Sequence, residues 1–166
     1  MDPAALAERL RERFPDVFVA RNEVTVTVDP EDLLETIRYL KTEPDLSFGF
    51  LSDISCTDWP GRDPRIWMAY HLYSMFQHHH RVRVKVGLPE GNLRVASLTS
   101  LYPAADWQER EVYDFFGVVF DGHADLRRIE MPEEWEGYPL RKDEPLGGVP
   151  TYYKGAFIPP PDERGL

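Results

Sequence analysis

Two stretches of the chain alternate without a break: Val24-Thr25-Val26-Thr27-Val28 and Arg81-Val82-Arg83-Val84-Lys85-Val86. Successive side chains of a strand point to opposite faces, so each stretch sends its valines one way and its threonines or cations the other. Such a strand is half-buried: one face needs an apolar cover, and the other stays wet, positive in the second stretch. Further runs extend the same sheet at Val17–Val19, Leu46–Ser55 and Ile66–Phe76, the last carrying Trp67, Tyr70, Tyr73 and Phe76. The cover is helical. Asp2-Pro3 and Asp29-Pro30 each pair an N-cap acceptor with a proline suited to a first helical turn. Leu6, Leu10 and Phe14 make one apolar stripe, and Leu33, Ile37 and Leu40 another. Pro15 and Pro44 end these helices. A short helical start at Leu98–Tyr102 is interrupted by Pro103, and a third helix runs from Ala104 to Phe116, stopped by Gly117. The pattern predicts an α+β fold, with a mixed or antiparallel sheet of about four or five strands and helices mainly on one face.

Periodicity disappears after Phe120. Seven of the 15 prolines stand at Pro132, Pro139, Pro145, Pro150, Pro159, Pro160 and Pro161. Proline lacks a backbone donor and fixes φ, so such a segment makes neither a regular sheet nor a long helix. The expected organisation is a globular domain over residues 1–120 and an extended, proline-rich tail over 121–166. Trp135, Tyr138, Tyr152, Tyr153 and Phe157 in that tail need another surface to pack against. The tail is expected to be protease-sensitive in the isolated chain and protected in a complex.

Composition narrows the function. A chain of 166 residues with 42% hydrophobic and 29% charged residues suits one soluble domain and excludes wholesale disorder. A formal net charge of -10 argues against nucleic acid, which needs a basic face, and against adsorption to anionic lipid. No apolar run reaches the roughly 20 residues that span a bilayer, and Met1-Asp2-Pro3-Ala4 does not open a secretory signal. Cys56 is the only cysteine, so no internal disulfide and no self-contained iron–sulfur or cysteine-rich zinc site is expected. A reducing cytoplasm fits.

Chemistry concentrates between Trp107 and Leu146. From Glu109 to Glu144 there are 11 acidic and 5 basic side chains among interleaved aromatics. On a helix, Arg110 and Asp114 are spaced to pair across one turn. Glu109, Glu111, Asp114, His123 and Asp125 read either as an acid–base or metal constellation, or as a polar lattice, part internal and part shared with a partner. A small metal-dependent hydrolase using His123 and Asp125 is the enzymatic alternative. No G-x-G-x-x-G, Walker, G-x-S-x-G or H-E-x-x-H motif is present. The lattice reading makes Trp107, Tyr113, Phe116 and Trp135 anchors for a partner presenting arginines, with Arg127, Arg128, Arg141 and Lys142 answering acids on it. Phe115 and Phe116 also suit a plain core role. His78-His79-His80 reads as a solvated hairpin rather than a ligand set, because consecutive residues point different ways. Arg81, Arg83 and Lys85 suit a solvated face, an anion or an acidic partner.

The run E-R-E-V-Y-D-F-F-G-V-V-F-D-G-H-A-D-L-R-R-I, followed by G-Y-P-L-R-K-D, resembles the signature of the C-type subunit of proton-translocating NADH:quinone oxidoreductase, respiratory complex I. Relatives occur in membrane-bound hydrogenases and formate hydrogenlyase-type complexes. The run covers roughly a quarter of the chain. Tyr138 stands where the family usually has histidine, and Glu144 where an aromatic is common. The resemblance implies a non-catalytic architectural subunit of the peripheral arm, on the cytoplasmic side of the inner membrane. It implies docking on the D-type subunit, which resembles the large subunit of nickel–iron hydrogenases, beside iron–sulfur subunits of the B and I types. FMN, iron–sulfur clusters and quinone would be held by partner subunits and none by this one. The candidate interface residues are Trp107, Glu109, Arg110, Glu111, Tyr113, Asp114, His123, Asp125, Arg127, Arg128, Trp135, Pro139, Arg141, Lys142 and Asp143. The equivalent subunit of a hydrogenase or ferredoxin-linked complex is the nearest alternative.

Overall fold

The alternating strands sit beside one another at the centre of a mixed sheet. The computed structural model describes residues 2–75 and 79–144, and the backbone of 151–153 and 156–158. The side chains of Phe76, His78, Tyr152, Tyr153 and Phe157 and the prolines after residue 144 lie outside the described residues. In order, the elements are α1 (Pro3–Arg11), β1 (Val17–Ala20), β2 (Glu23–Val28), a 3-10 turn (Pro30–Asp32), α2 (Leu33–Thr42), β3 (Phe50–Asp58), β4 (Ile66–Tyr73) and β5 (Arg81–Leu88). Then come β6 (Arg94–Ala96), α3 (Ala105–Phe116), β7 (Val119–Asp121), β8 (Thr151–Tyr153) and β9 (Ala156–Ile158).

Five strands pair in the order β1-β2-β5-β4-β3, antiparallel except for the parallel pair β2–β5. The β1–β2 hairpin turns through Arg21 and Asn22, both at positive φ (52° and 64°), the conformation that a tight two-residue hairpin turn requires. Register then decides the core. Val24 lies opposite Val82, Val26 opposite Val84 and Val28 opposite Val86. Ile66, Met68, Tyr70 and Leu72 of β4 alternate onto the same side. Leu6 and Leu10 of α1, Leu33, Ile37 and Leu40 of α2, and Val112 of α3 close over them in a single apolar cluster. β6 and β7 form a separate parallel pair beside α3.

Several local expectations are corrected. Neither Asp2 nor Asp29 caps with its side chain; proline starts α1 alone, and proline with the acidic Glu31 and Asp32 starts the 3-10 turn. The third strand begins at Phe50 rather than Leu46: the amides of Ser47 and Phe48 return to Glu43 and Leu40 carbonyls, Ser47 takes φ 48°, and Leu46 and Phe48 reach the core from a loop. The next strand ends at Tyr73. Leu98–Tyr102 folds as a turn closed onto the Leu98 carbonyl, not as a helix. Thr25, expected to be wet, is 1% exposed, with the Arg83 guanidinium lying 3.5 Å from its hydroxyl.

A candidate partner interface around the third helix

α3 carries its acids on both sides. Ala105, Glu109, Val112 and Asp114 are buried, whereas Trp107 is 63% exposed and Glu111 faces solvent. Gly117 ends the helix at φ 74°, and its backbone amide donates to the Tyr113 carbonyl. A Cβ there would lie 2.5 Å from the Tyr138 ring, so both the turn and the packing exclude a side chain.

The inward acids are structural struts. Glu109 accepts hydrogen bonds from the Leu98 amide (2.6 Å) and the Ser97 hydroxyl (2.7 Å), tying α3 to the turn after β6. Burial raises its pKa above the ordinary glutamate range, and those two bonds oppose the rise. Asp114 is enclosed by donors: the amides of Ile129 (3.0 Å), Glu130 (2.8 Å) and Met131 (2.9 Å) converge on Oδ2, and Arg128 Nη1 donates to Oδ1 (2.6 Å). Burial works against that carboxylate, but the amides and Arg128 together hold its pKa below the usual aspartate range. Arg128 also donates to the carbonyls of Asp114 and Gly137. The expected Arg110–Asp114 pair therefore does not form. Asp114 turns inward, and Arg110 instead lies 5.1 Å from the Trp107 ring and donates to the Arg127 carbonyl.

His123 is held at both nitrogens. Its Nδ1 accepts the Asp125 amide (3.1 Å), so Nε2 carries the hydrogen and faces the Asp106 carboxylate (3.2 Å) and carbonyl (3.2 Å). Asp125 pairs with Arg127 at 3.0 Å. Both ring nitrogens are thus engaged, and no three His, Cys, Asp or Glu side chains among the described residues are placed to hold a metal ion. Among the described residues, His123 and Asp125 are engaged by Asp106 and Arg127 rather than gathered into a donor set for the metal-hydrolase alternative.

The segment after β7 folds back as a strap along α3. Tyr138 sits between two guanidiniums, 4.6 Å from Arg141 and 5.4 Å from Arg128, with the Tyr113 ring edge-on at 6.5 Å. Arg141 Nε donates to the Phe116 carbonyl at 2.7 Å, and the Leu140 amide to that of Phe115. The Lys142 amide reaches Asp58 at 2.8 Å. Asp58 is itself gripped by Arg65 through two nitrogens (2.7 and 2.9 Å), and Arg65 also meets Asp143 (3.0 Å) and Glu90. Arg65 holds the Asp58 carboxyl below its usual range, against the effect of burial. Nothing in the sequence near the motif points to Asp58 or Arg65, which lie more than 70 residues before Lys142 and Asp143, the strap residues they hold. Burial pushes the Cys56 thiol up to about 12, the condition of an inert structural cysteine.

On the outside remain Trp107, Arg110, Glu111, Asp125, Arg127, Lys142 and Asp143, exposed or half-exposed, with Leu140 at 48%. Trp135 and Pro139 are half-buried along the strap. No helix among the described residues is long and apolar enough to cross a membrane.

Comparison with known proteins agrees with this motif. Residues 26–150 match the family described as "Respiratory-chain NADH dehydrogenase, 30 Kd subunit". The C subunit of the NADH-quinone oxidoreductase of Mycobacterium avium is 47% identical over 148 residues, which is 89% of this chain and 63% of that protein, so the chain spans less than two thirds of that relative. Its counterpart in Salinispora tropica is 46% identical, over 96% of this chain and 68% of its own length. Among solved structures, the trypsin-resistant fragment (1-134) of Nqo5 superposes with TM-score 0.64 at 30% identity, over 74% of this chain and 97% of the fragment. A chain of the membrane-bound sulfane sulfur reductase, an archaeal respiratory membrane complex, gives TM-score 0.66 at 26% identity, over 86% of this chain and 85% of its own. The chain belongs to the respiratory-chain NADH dehydrogenase 30 Kd subunit family.

Proposed function

We propose that this chain is a non-catalytic architectural subunit of the peripheral arm of NADH:quinone oxidoreductase. It docks on the D-type, hydrogenase-like subunit and lies near the B- and I-type iron–sulfur subunits. FMN, clusters and quinone belong to those partners. Its contribution to electron transfer is indirect: it orders the subunits that hold the redox groups, on the cytoplasmic side of the inner membrane, and meets the membrane only through the complex. The observation that carries this reading is the asymmetry of α3. Its inner acids are occupied by the chain's own donors, while Trp107 near the start of the helix and Leu140, whose amide donates to the Phe115 carbonyl near its end, stand in solvent. An exposed aromatic with Arg110 over its ring and an exposed leucine two residues from Lys142, both along one helix, have the composition of docking anchors.

Residues 121–166 supply the partner-binding ribbon in this reading. The first part of it is strapped to α3, and its outer side faces the partner. The trypsin resistance of the matched Nqo5 fragment supports a compact core that survives without the rest of its chain. The likeness to the sulfane sulfur reductase chain favours a second reading, the same architectural role in a complex with another electron acceptor. Affinity purification of the tagged chain from its native membrane tests both. Co-purifying subunits with NADH-oxidising flavin protein support the first reading, and a complex without that protein supports the second. A chain recovered alone, turning over a substrate unaided, overturns both.

A further inference from the structure

The apolar layer and the strap leave one side of the five-stranded sheet to its own side chains. Register places Thr25, Arg83, His71 and Asp53 in one row across that side, Thr27, Lys85, Ala69 and Ser55 in the next, and Arg81, Tyr73 and Phe50 in a third. These residues are half-exposed or exposed except Thr25, and Phe50 is 45% exposed. Arg81, Arg83 and Lys85 run down the middle on β5, against two carboxylates, Glu23 and Asp53. A chain with net charge -10 thus presents a positive face here. The cations are held in place rather than solvated at random. Lys85 Nζ lies 4.5 Å from the Trp67 ring centre, Arg81 lies 5.6 Å from that of Tyr73, and Arg83 bonds Glu23. Held cations on half-exposed aromatics are interface chemistry, whereas a merely solvated face does not need Trp67, Tyr73 and Phe50. A recess of about 280 Å3 opens at one end, lined among others by Glu23, Phe50, Asp53, His71, Arg81 and Arg83, with Arg83 already paired to Glu23 and Arg81 without a carboxylate of its own among the ion pairs of the described residues.

We propose that this side of the sheet is a second protein interface, occupied by an acidic segment of another subunit, with one of its carboxylates seated against Arg81 in the recess. The occupant is set by charge: the face carries three cations against two carboxylates, Arg83 is paired with Glu23, and Arg81 and Lys85, held over Tyr73 and Trp67, match carboxylates, while the aromatics accept the aliphatic stem of a glutamate. Ala69 at the centre leaves room for a backbone to lie flat. His71, whose pKa is lowered by burial and by Arg83, lines the same recess and can donate a hydrogen bond to the same carboxylate. This inference rests on the proposal that the chain works inside an assembly, but uses side chains of the sheet rather than those of α3.

Hydroxyl-radical footprinting of the assembled complex against the isolated full chain tests it, with zero-length carbodiimide cross-linking of the complex alongside. Oxidation of Trp67 and Tyr73 is expected to fall roughly threefold or more on assembly, as buried interface aromatics should. Lys85 is expected to cross-link to an aspartate or glutamate of another subunit, a product lost in Lys85→Arg while assembly persists. The double variant Arg81→Glu, Lys85→Glu should be retained roughly tenfold less in salt-washed complex. Footprinting uses the unmodified chain, so misfolding of that variant does not remove the test. Unchanged Trp67 and Tyr73 with a protected Trp107 overturns this inference and leaves the α3 interface standing. A cross-link to a second copy of the chain, or protection produced by anionic vesicles or nucleic acid alone, overturns the acidic-subunit assignment. No protection at Trp107 or Trp67 overturns the proposed function together with it.

Discussion

Replacing Asp114 by asparagine tests whether the family motif is a strut or a surface. The carboxylate takes three backbone amides on one oxygen and the Arg128 guanidinium on the other. Asparagine keeps the shape but turns one oxygen into a donor, so either Arg128 or the amide cluster then faces a hydrogen rather than an acceptor. A hydrogen bond to a charged group contributes about 1.5–3 kcal/mol, and leaving a buried charge without its partner costs about 3–5 kcal/mol. Asp114→Asn should therefore destabilise the chain by about 3 kcal/mol. At roughly 2–4 °C per kcal/mol for a domain of this size, the melting point should fall by roughly 6–12 °C. Thermal unfolding of the purified chain, followed by circular dichroism, reads this directly. Because the folded pKa is depressed, the stabilisation is present above the ordinary aspartate range and is lost as pH falls through the folded value. The gap between wild type and variant should accordingly narrow in acid. It should change little with salt, since the pair is dry. A variant melting within about 1 °C of wild type at neutral pH would refute the strut.

Arg65→Met removes the cation that grips Asp58 and releases Asp143, so it should cost about 3 kcal/mol and open the strap; limited proteolysis should then cut first at Arg141 or Lys142, and an unchanged cleavage pattern would count against the latch. Glu109→Gln has the opposite sign. The folded pKa of Glu109 is raised, so wild type loses stability as pH rises above the ordinary glutamate range, and the neutral amide should equal or exceed wild-type stability at pH 8 while differing little at pH 4. Urea unfolding at the two pH values checks it, and a variant much weaker at pH 8 would show that the ionised form is preferred.

The sheet was legible because period two is a local signal. Val24–Val28 and Arg81–Val86 each declare a covered and an uncovered face, and their pairing in register follows from burying the valines together. Loop-borne core residues were not legible. Leu46 and Phe48 read as a strand because both are apolar, and only the return of their amides toward α2 shows that they belong to a loop. The motif was legible as a family signature but not as geometry. Glu109 and Glu111 look alike in sequence, yet one is buried against Ser97 and Leu98 and the other faces solvent. Which acid turns inward depends on helix phase relative to β6 and the strap, both distant in the chain. The Asp58–Arg65 anchor left no trace near the motif at all.

A dense run of acids and aromatics suggests a surface meant for another protein, and in the proposed reading part of this one is. The geometry divides it. Asp114, Arg128, Tyr138 and Arg141 interlock around the end of α3, where Gly117 admits the Tyr138 ring, so their first task is to fold an irregular segment that has no strand or helix of its own. Proline-rich backbone cannot satisfy its amides by regular pairing, and a buried carboxylate that accepts three successive amides does so instead. Trp107, Glu111, Leu140 and Lys142 are the remainder, and they lie outward because the inner positions are occupied. The two roles are coupled: a docking patch on an irregular strap has a defined shape only when the strap is fixed. A change at Asp114 or Arg65 should therefore weaken assembly even though neither side chain reaches the outer surface, whereas Trp107→Ala should weaken assembly and leave the melting point of the chain nearly unchanged.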